Sequence, residues 1–117
     1  MHTLLHYTDM IFYSIELDPE LAMKTFKKQF AGLLRLMSIG SNRLSIVAEI
    51  FSEDLIPWEF VADSSNRSDQ EKSISLLSAL MTTISSQPES LLKIIEALKR
   101  VETFRQIADK LSDDLYL

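Results

Sequence analysis

Apolar residues between positions 19 and 38 recur at the spacing of one helical face. At about 100° per residue, six of them fall on one side of a helix. Asp18, Pro19 and Glu20 supply an N-cap acid, a proline at the first helical position and an acid in the first turn. The pattern therefore predicts a long first helix that buries Met23, Phe26, Phe30, Leu33, Leu34 and Met37.

Two glycines shape the expected course of this helix. Gly32 lies inside it and predicts a kink, because glycine costs about 1 kcal/mol against alanine in a helix interior. Gly40 predicts the C-terminal stop, since glycine readily takes the left-handed conformation. Ser41 or Asn42 is then expected to cap a second helix that ends near residues 52–54. Its predicted buried face consists of Leu44, Val47, Ala48 and Phe51.

Four more helices are expected after Pro57. Pro57 opens a short third helix in which Trp58 is predicted to be a core residue. Capping boxes predict the starts of the fourth and fifth helices. The sixth helix has one apolar face, and a continuous, kinked fifth and sixth helix stays open because residues 100–103 contain no glycine or proline. The capping pairs are Ser68 with Glu71 and Ser86 with Glu89, and the last face is Phe104, Ile107, Ala108 and Leu111.

Composition favours one small helical domain. The chain has 117 residues, of which 46% are hydrophobic and only five are glycine or proline, as expected for helices rather than a turn-rich sheet. The net charge of −5 argues against nucleic-acid binding. Without cysteine there is no thiol chemistry, and no apolar run of about 18 residues is present to span a membrane. A signal peptide is not recognisable either, so we expect a cytoplasmic protein.

Residues 1–17 are apolar without a clean period and are interpreted as an N-terminal extension that packs as a short helix. His2 and His6 have a spacing that can hold a metal ion. A third ligand is missing from the pattern, so no metal is predicted. The neighbouring carboxylates Glu53 and Asp54 are interpreted as solvated residues rather than an acid–base pair. No phosphate-binding or zinc-protease motif is present, and the sequence predicts neither an enzyme nor a cofactor.

The charges of the central region separate by sign. Residues 21–43 contain five basic residues and no acid, whereas residues 44–66 contain five acids and no base. Solvated helix faces usually mix signs through weak pairs one turn apart. The alternative is that the charges only solvate the outside of core helices. We interpret the separation as one positive and one negative docking surface.

The order of helices resembles the death-fold superfamily, and within it the caspase recruitment domain (CARD). The resemblance lies in the kinkable first helix, the stretch from Leu44 to Ile56 before a short third helix, the leucine-rich fourth helix, and the Ile107-Ala-Asp-Lys-Leu111 pattern of the last. It covers about residues 20–115. The sister death effector domain resembles the chain in Asp54-Leu-Ile-Pro57, but its Arg-x-Asp-Leu signature is missing, since Arg105 is followed by Gln-Ile-Ala.

The resemblance implies an all-α, six-helix antiparallel Greek-key bundle over residues 18–117. It also implies homotypic docking to another death-fold domain, a second copy of the chain included, in apoptotic or innate immune signalling. A basic surface on helices one and four would meet an acidic surface on helices two and three. Carried to this chain, the basic residues are Lys24, Lys27, Lys28, Arg35 and Lys72, and the acidic residues are Glu49, Glu53, Asp54, Glu59 and Asp63.

A helical module with another role is the competing interpretation. It would be a regulatory or chaperone domain that binds a partner or a small ligand in a pocket near Trp58 and Phe60. Self-association that depends on Lys28 and Glu53 favours the docking module, and a bound small molecule favours the alternative.

Overall fold

The computed structural model describes residues 13–61 and 66–115, and these form helices without any strand. Residues 13–17 are helical and precede the first complete helix. The complete helices are α1 (Pro19–Lys28), α2 (Phe30–Met37), α3 (Gly40–Ser52), α4 (Trp58–Val61), α5 (Asp69–Ser86), α6 (Ser90–Lys99) and α7 (Arg105–Leu115), with a 3₁₀ turn, η1 (Glu102–Phe104), before the last.

Helix α6 has the largest buried fraction of the complete helices. It packs against α7 on one side and α3 on the other, while α1 contacts both α5 and α7 and α2 contacts α5. Six of the ten residues of α6 are buried, namely Ser90, Leu91, Ile94, Ile95, Ala97 and Leu98. The predicted face of the last helix is confirmed, because Phe104, Ile107, Ala108 and Leu111 are all buried.

The predicted first helix begins where expected but breaks at Gln29 instead of Gly32. Gln29 has φ −100° and ψ 5°, and its N–H donates to the Phe26 carbonyl three residues back. The prediction of a kink at Gly32 is wrong because α2 is regular there. Gly32 instead permits close packing, since a Cβ added to it would lie 3.3 Å from Cδ1 of Ile107 on α7.

Gly40 is not the stop that ends this helix. Neither glycine has a positive φ, and Gly40 is the first residue of α3. Helix α2 ends at Met37, and the chain turns through extended Ile39, which stands at the N-cap of α3 without a side-chain cap. The predicted cap at Ser41 or Asn42 is therefore wrong, and the Asn42 amide Nδ2 donates instead to the Leu36 carbonyl.

The face that α3 buries differs from the prediction. Ile46, Val47 and Ile50 are buried, whereas Leu44, Ala48 and Phe51 are exposed to solvent. Helix α3 carries apolar side chains on two faces, and only the face that includes Ile46 and Ile50 packs into the core. Of the predicted set, only Val47 is buried.

One of the two predicted capping boxes is present. The Ser68 hydroxyl accepts from the Glu71 N–H and the Glu71 carboxylate accepts from the Ser68 N–H, so α5 begins as expected. The second is wrong because Ser86 is the last residue of α5, and its hydroxyl donates to the Thr82 carbonyl. The α5–α6 turn consists of residues 87–89, and α6 begins at Ser90.

The sequence left open whether the last two helices are separate or form one continuous, kinked helix. Helix α6 ends at Lys99, and Val101 has an extended backbone before η1. They are separate helices.

The end of the N-terminal extension joins the core through Ile15, whose side chain is only 2% exposed. The His2 and His6 hypothesis lies outside the described residues. No helix within residues 13–61 and 66–115 is long and apolar enough to cross a membrane.

Candidate functional site

A row of cations lies on the outer side of α1. Lys24, Lys27 and Lys28 are exposed, and Lys27 and Lys28 follow Lys24 by three and four residues, which places all three on one side of the helix. The buried side of α1 is formed by Ala22, Thr25 and Phe26. The three lysines are called the lysine row below.

Arg35 and Lys72 lie toward the end of the bundle that is opposite the lysine row. Lys27 shares a groove with Ser85 near the end of α5, whereas a Cβ on Gly40 would lie 3.5 Å from the carboxylate of Asp69 at the start of α5. The α1–α2 pair therefore runs antiparallel to α5. Lys72 is thirteen residues from Ser85, about 20 Å along the helix, so the five basic residues do not form one compact patch.

A groove lies beside the lysine row, between α1 and the junction of α5 with α6. Its volume is about 390 Å³. Carbon-rich side chains share its wall with Lys24, Lys27 and Glu20, so the charged lining is positive by one unit. An apolar group with an acid placed beside the two lysines would suit it. Its lining is Pro19, Glu20, Met23, Lys24, Lys27, Ile84, Ser85 and Pro88.

Two of the predicted acidic residues are already paired within the chain. Arg100, directly after α6, donates from Nε to Glu49 at 2.7 Å and from Nη2 to Glu53 at 2.6 Å. These hydrogen bonds, the one to Glu53 foremost, raise the pKa of the Arg100 guanidinium above its ordinary value. Glu49 and Glu53 therefore offer a neighbouring molecule less negative charge than the sequence suggests.

Sequence reasoning missed Arg100 because its partners are 51 and 47 residues away. The only available signal was the position of a base at the end of an amphipathic helix, and that does not identify a partner. Arg43, the fifth cation of the basic half, is also used internally. Its Nη1 lies 2.8 Å from Oδ1 of Asp69, and its side chain is only 11% exposed.

Asp54 and Glu59 remain as exposed acids at the connection between α3 and α4. Asp54 has a φ of 60°, in the left-handed region, and its N–H donates to the Phe51 carbonyl. No ion pair of Glu59 is found among residues 13–61 and 66–115. Asp63 lies outside the described residues.

Beside these acids, apolar side chains are exposed. Trp58 is 60% exposed, so its prediction as a core residue is wrong. Its ring meets that of Phe51 edge to face, with centroids 5.6 Å apart. We call Leu44, Ala48, Phe51 and Trp58 the apolar corner. The sequence contained a signal for the apolar corner, because α3 has apolar residues on two faces. Only one of these faces can pack against the core, so the other is left exposed.

Comparison of the chain with protein-family models, with curated proteins and with solved structures found no match. Within the described part of the chain, no group of three or more His, Cys, Asp or Glu side chains could hold a metal ion. What the structure does bring together is a groove edged by two lysines and, elsewhere, an apolar corner flanked by two acids.

Proposed function

We propose that the chain is a protein-docking module of the death-fold type, most like a CARD, that binds domains of its own kind, a second copy included. From Pro19 to Leu115, counting α1 and α2 as one broken helix and leaving η1 aside gives six helices, the number that the resemblance implies. A role in apoptotic or innate immune signalling rests on that resemblance alone.

The observation that carries the proposal is the presence of both signs on separate exposed surfaces of one small bundle. The lysine row lies on α1, and Asp54 and Glu59 lie at the α3–α4 connection. Opposite charges steer two molecules together and fix their register. Because the two surfaces differ, each copy would use one surface for each of two neighbours, and contacts of this kind that do not close form filaments.

Internal pairing changes which acids can dock. Glu53 is a poor choice for a charge-reversal test, because its substitution also breaks the contact with Arg100. Glu59 is exposed and lacks such a contact among the described residues. The acidic partner surface is therefore centred on Glu59 and Asp54, with Glu49 and Glu53 as a partly neutralised margin.

The proposal is tested with Lys28→Glu and Glu59→Lys in light scattering at low and high salt. Lys93→Glu on α6 and Asp109→Lys on α7 are matched controls, since both reverse an exposed charge that belongs neither to α1 nor to the α3–α4 connection. We expect the wild type and both controls to self-associate at low salt and the two test variants to be monomeric. A wild type that stays monomeric at every salt concentration overturns the proposal, as does equal loss in the controls.

A second candidate is supported by the groove, whose volume of about 390 Å³ lies in the range of small-molecule sites. A ligand with an apolar body and an acidic group would suit it. The groove lies beside α1 and not near Trp58 and Phe60, where the sequence suggested a pocket. Saturable binding of a fatty acid such as decanoate, lost in Lys24→Glu and Lys27→Glu, would favour this candidate.

A further inference from the structure

The apolar corner is unusual for a bundle that has a well-filled core. Leu44 and Trp58 are 64% and 60% exposed, and Phe51 is 38% exposed. They adjoin one another because Leu44, Ala48 and Phe51 follow the helical spacing i, i+4, i+7 and the Phe51 ring contacts Trp58. Neighbouring apolar side chains exposed together mark an interaction surface more often than single ones do.

The groove has the complementary character. Met23, Ile84 and the two prolines give it apolar walls, and Lys24 and Lys27 outweigh Glu20 to leave it a net positive charge. A protein side chain that enters it should be large and apolar, and it should carry acids beside it. Tryptophan is one of the residue types enriched among such anchors at protein interfaces.

The corner supplies these features on the same chain. Trp58 adjoins Glu59 in sequence, and Asp54 is tied to Phe51 by a backbone hydrogen bond of 2.9 Å. We propose that Trp58 of one copy enters the groove of a second copy. Glu59 and Asp54 of the first copy then face Lys24 and Lys27 of the second. This inference rests on the proposed docking function and names its contact.

The two surfaces face different sides of the end of α5. Thr83 faces the α3–α4 connection, with its Oγ1 3.5 Å from the Leu55 carbonyl oxygen. The next residues, Ile84 and Ser85, line the groove instead. One copy therefore presents its corner to one neighbour and its groove to another, which makes the contact head-to-tail.

Trp58 itself reports the contact, since it is the only tryptophan of the chain. In the monomer its exposed ring should emit like tryptophan in water and be quenched by acrylamide. As the concentration of the full chain rises at low salt, we expect a blue shift and weaker quenching, in step with the mass measured by light scattering. An assembled chain whose Trp58 remains fully quenchable overturns the inference.

Two variants disable opposite sides of the contact. Trp58→Ala removes the anchor, and Ser85→Arg blocks the groove from an exposed position. Each should raise the concentration needed for association at least about tenfold, the scale of an interface hot spot. Ile74→Ala removes another partly exposed apolar side chain, and Ser78→Arg adds the same arginine at an exposed site of α5 outside the groove, so both controls should assemble like the wild type.

Mixing the two test variants gives the decisive result. Trp58→Ala keeps its groove and Ser85→Arg keeps its tryptophan, so the mixture should form a dimer and nothing longer, with the remaining tryptophan shielded. A mixture that stays monomeric while the wild type assembles overturns the inference.

The outcomes separate the inference from the function on which it rests. Assembly that is sensitive to salt, to Lys28→Glu and to Glu59→Lys, yet unaffected by Trp58→Ala and Ser85→Arg, supports the docking function and overturns the groove contact. Lys28 serves this purpose because it does not line the groove. Absence of assembly in the wild type overturns both.

Discussion

Helix α6 and the apolar corner both carry large apolar side chains, but those of α6 are buried and those of the corner are exposed. In α6 the apolar side chains Leu91, Ile94, Ile95 and Leu98 are at most 2% exposed, because α7 and α3 cover them from two sides. At the corner, Leu44, Phe51 and Trp58 have no such cover. The difference teaches that helical periodicity predicts burial well only for a helix that has neighbours on its apolar face.

The apolar residues of the two regions have different roles. Those of α6 stabilise the fold, since burying a large aliphatic side chain contributes about 1.5–3 kcal/mol. Those of the corner contribute little to folding and are available for docking. The same substitution should therefore have different effects on stability in α6 and at the apolar corner.

The largest effect is expected from one substitution made in both regions. Leu98→Ala should lower the free energy of unfolding by about 2–5 kcal/mol, because Leu98 is 1% exposed and a cavity would remain. Leu44→Ala should change it by no more than about 0.5 kcal/mol, because Leu44 is 64% exposed. Urea unfolding measures both. Equal losses would show that the apolar corner is part of the core.

The next effect concerns packing of α2 against α7 on the core side. Gly32→Val should lower the free energy of unfolding by about 1–3 kcal/mol through overpacking against Ile107. Gly32→Ala is the matched control and should stay within about 1 kcal/mol of the wild type. Its Cβ only requires a small shift of the Ile107 terminal methyl, and alanine favours the helix. A stabilising valine would contradict the close approach of the two helices.

A smaller effect, of opposite sign, is expected at the corner. Asp54 holds a left-handed φ of 60°, which glycine adopts at less cost. Asp54→Gly should therefore raise the free energy of unfolding by about 0.5–1 kcal/mol, while it removes an acid from the docking surface. Asp54→Ala removes the same acid and keeps the unfavourable φ, so it should be the less stable of the two in chemical denaturation. The reverse order would contradict the backbone conformation.

The smallest effect on stability is expected from Arg100→Gln. This substitution removes the ion pairs of Arg100, directly after α6, with Glu49 and Glu53 near the end of α3. The Arg100 guanidinium is charged at every pH near neutrality, and its hydrogen bonds to Glu53 and Glu49 raise its pKa further. Since the pair is exposed, the thermal midpoint should hardly move. Self-association at low salt should tighten, because Glu49 and Glu53 regain their negative charge toward a partner. Weaker association would show that Arg100 itself belongs to the interface.

Much of the fold was accessible from sequence because its signals are local. The start of α1 at Pro19, the capping box at Ser68 and the buried face of α7 each depend on residues within about one or two turns. The break at Gln29 was not accessible, because no sequence signal distinguishes that glutamine from the other residues of the helix. The apolar corner was missed because two faces of α3 compete for the same core.

The candidate site was predicted less completely, for a physical reason. Charge separation along the chain correctly indicated exposed lysines on α1, but ion pairs between distant residues remove charges from a surface. Arg100 reduces the contribution of Glu49 and Glu53, and Asp69 occupies Arg43. Neither pair follows from a helical pattern, since each joins helices that meet only in the folded bundle.

The most direct test of the account is sedimentation velocity of a mixture of Lys28→Glu and Glu59→Lys at about 0.01 M salt, where charges act over about 30 Å. Each variant alone should be monomeric, and the mixture should associate, because one keeps the acidic surface and the other keeps the lysine row. Association should disappear at about 1 M salt, where the screening length is about 3 Å. A mixture that remains monomeric at low salt, beside a wild type that assembles, would contradict docking between the two surfaces.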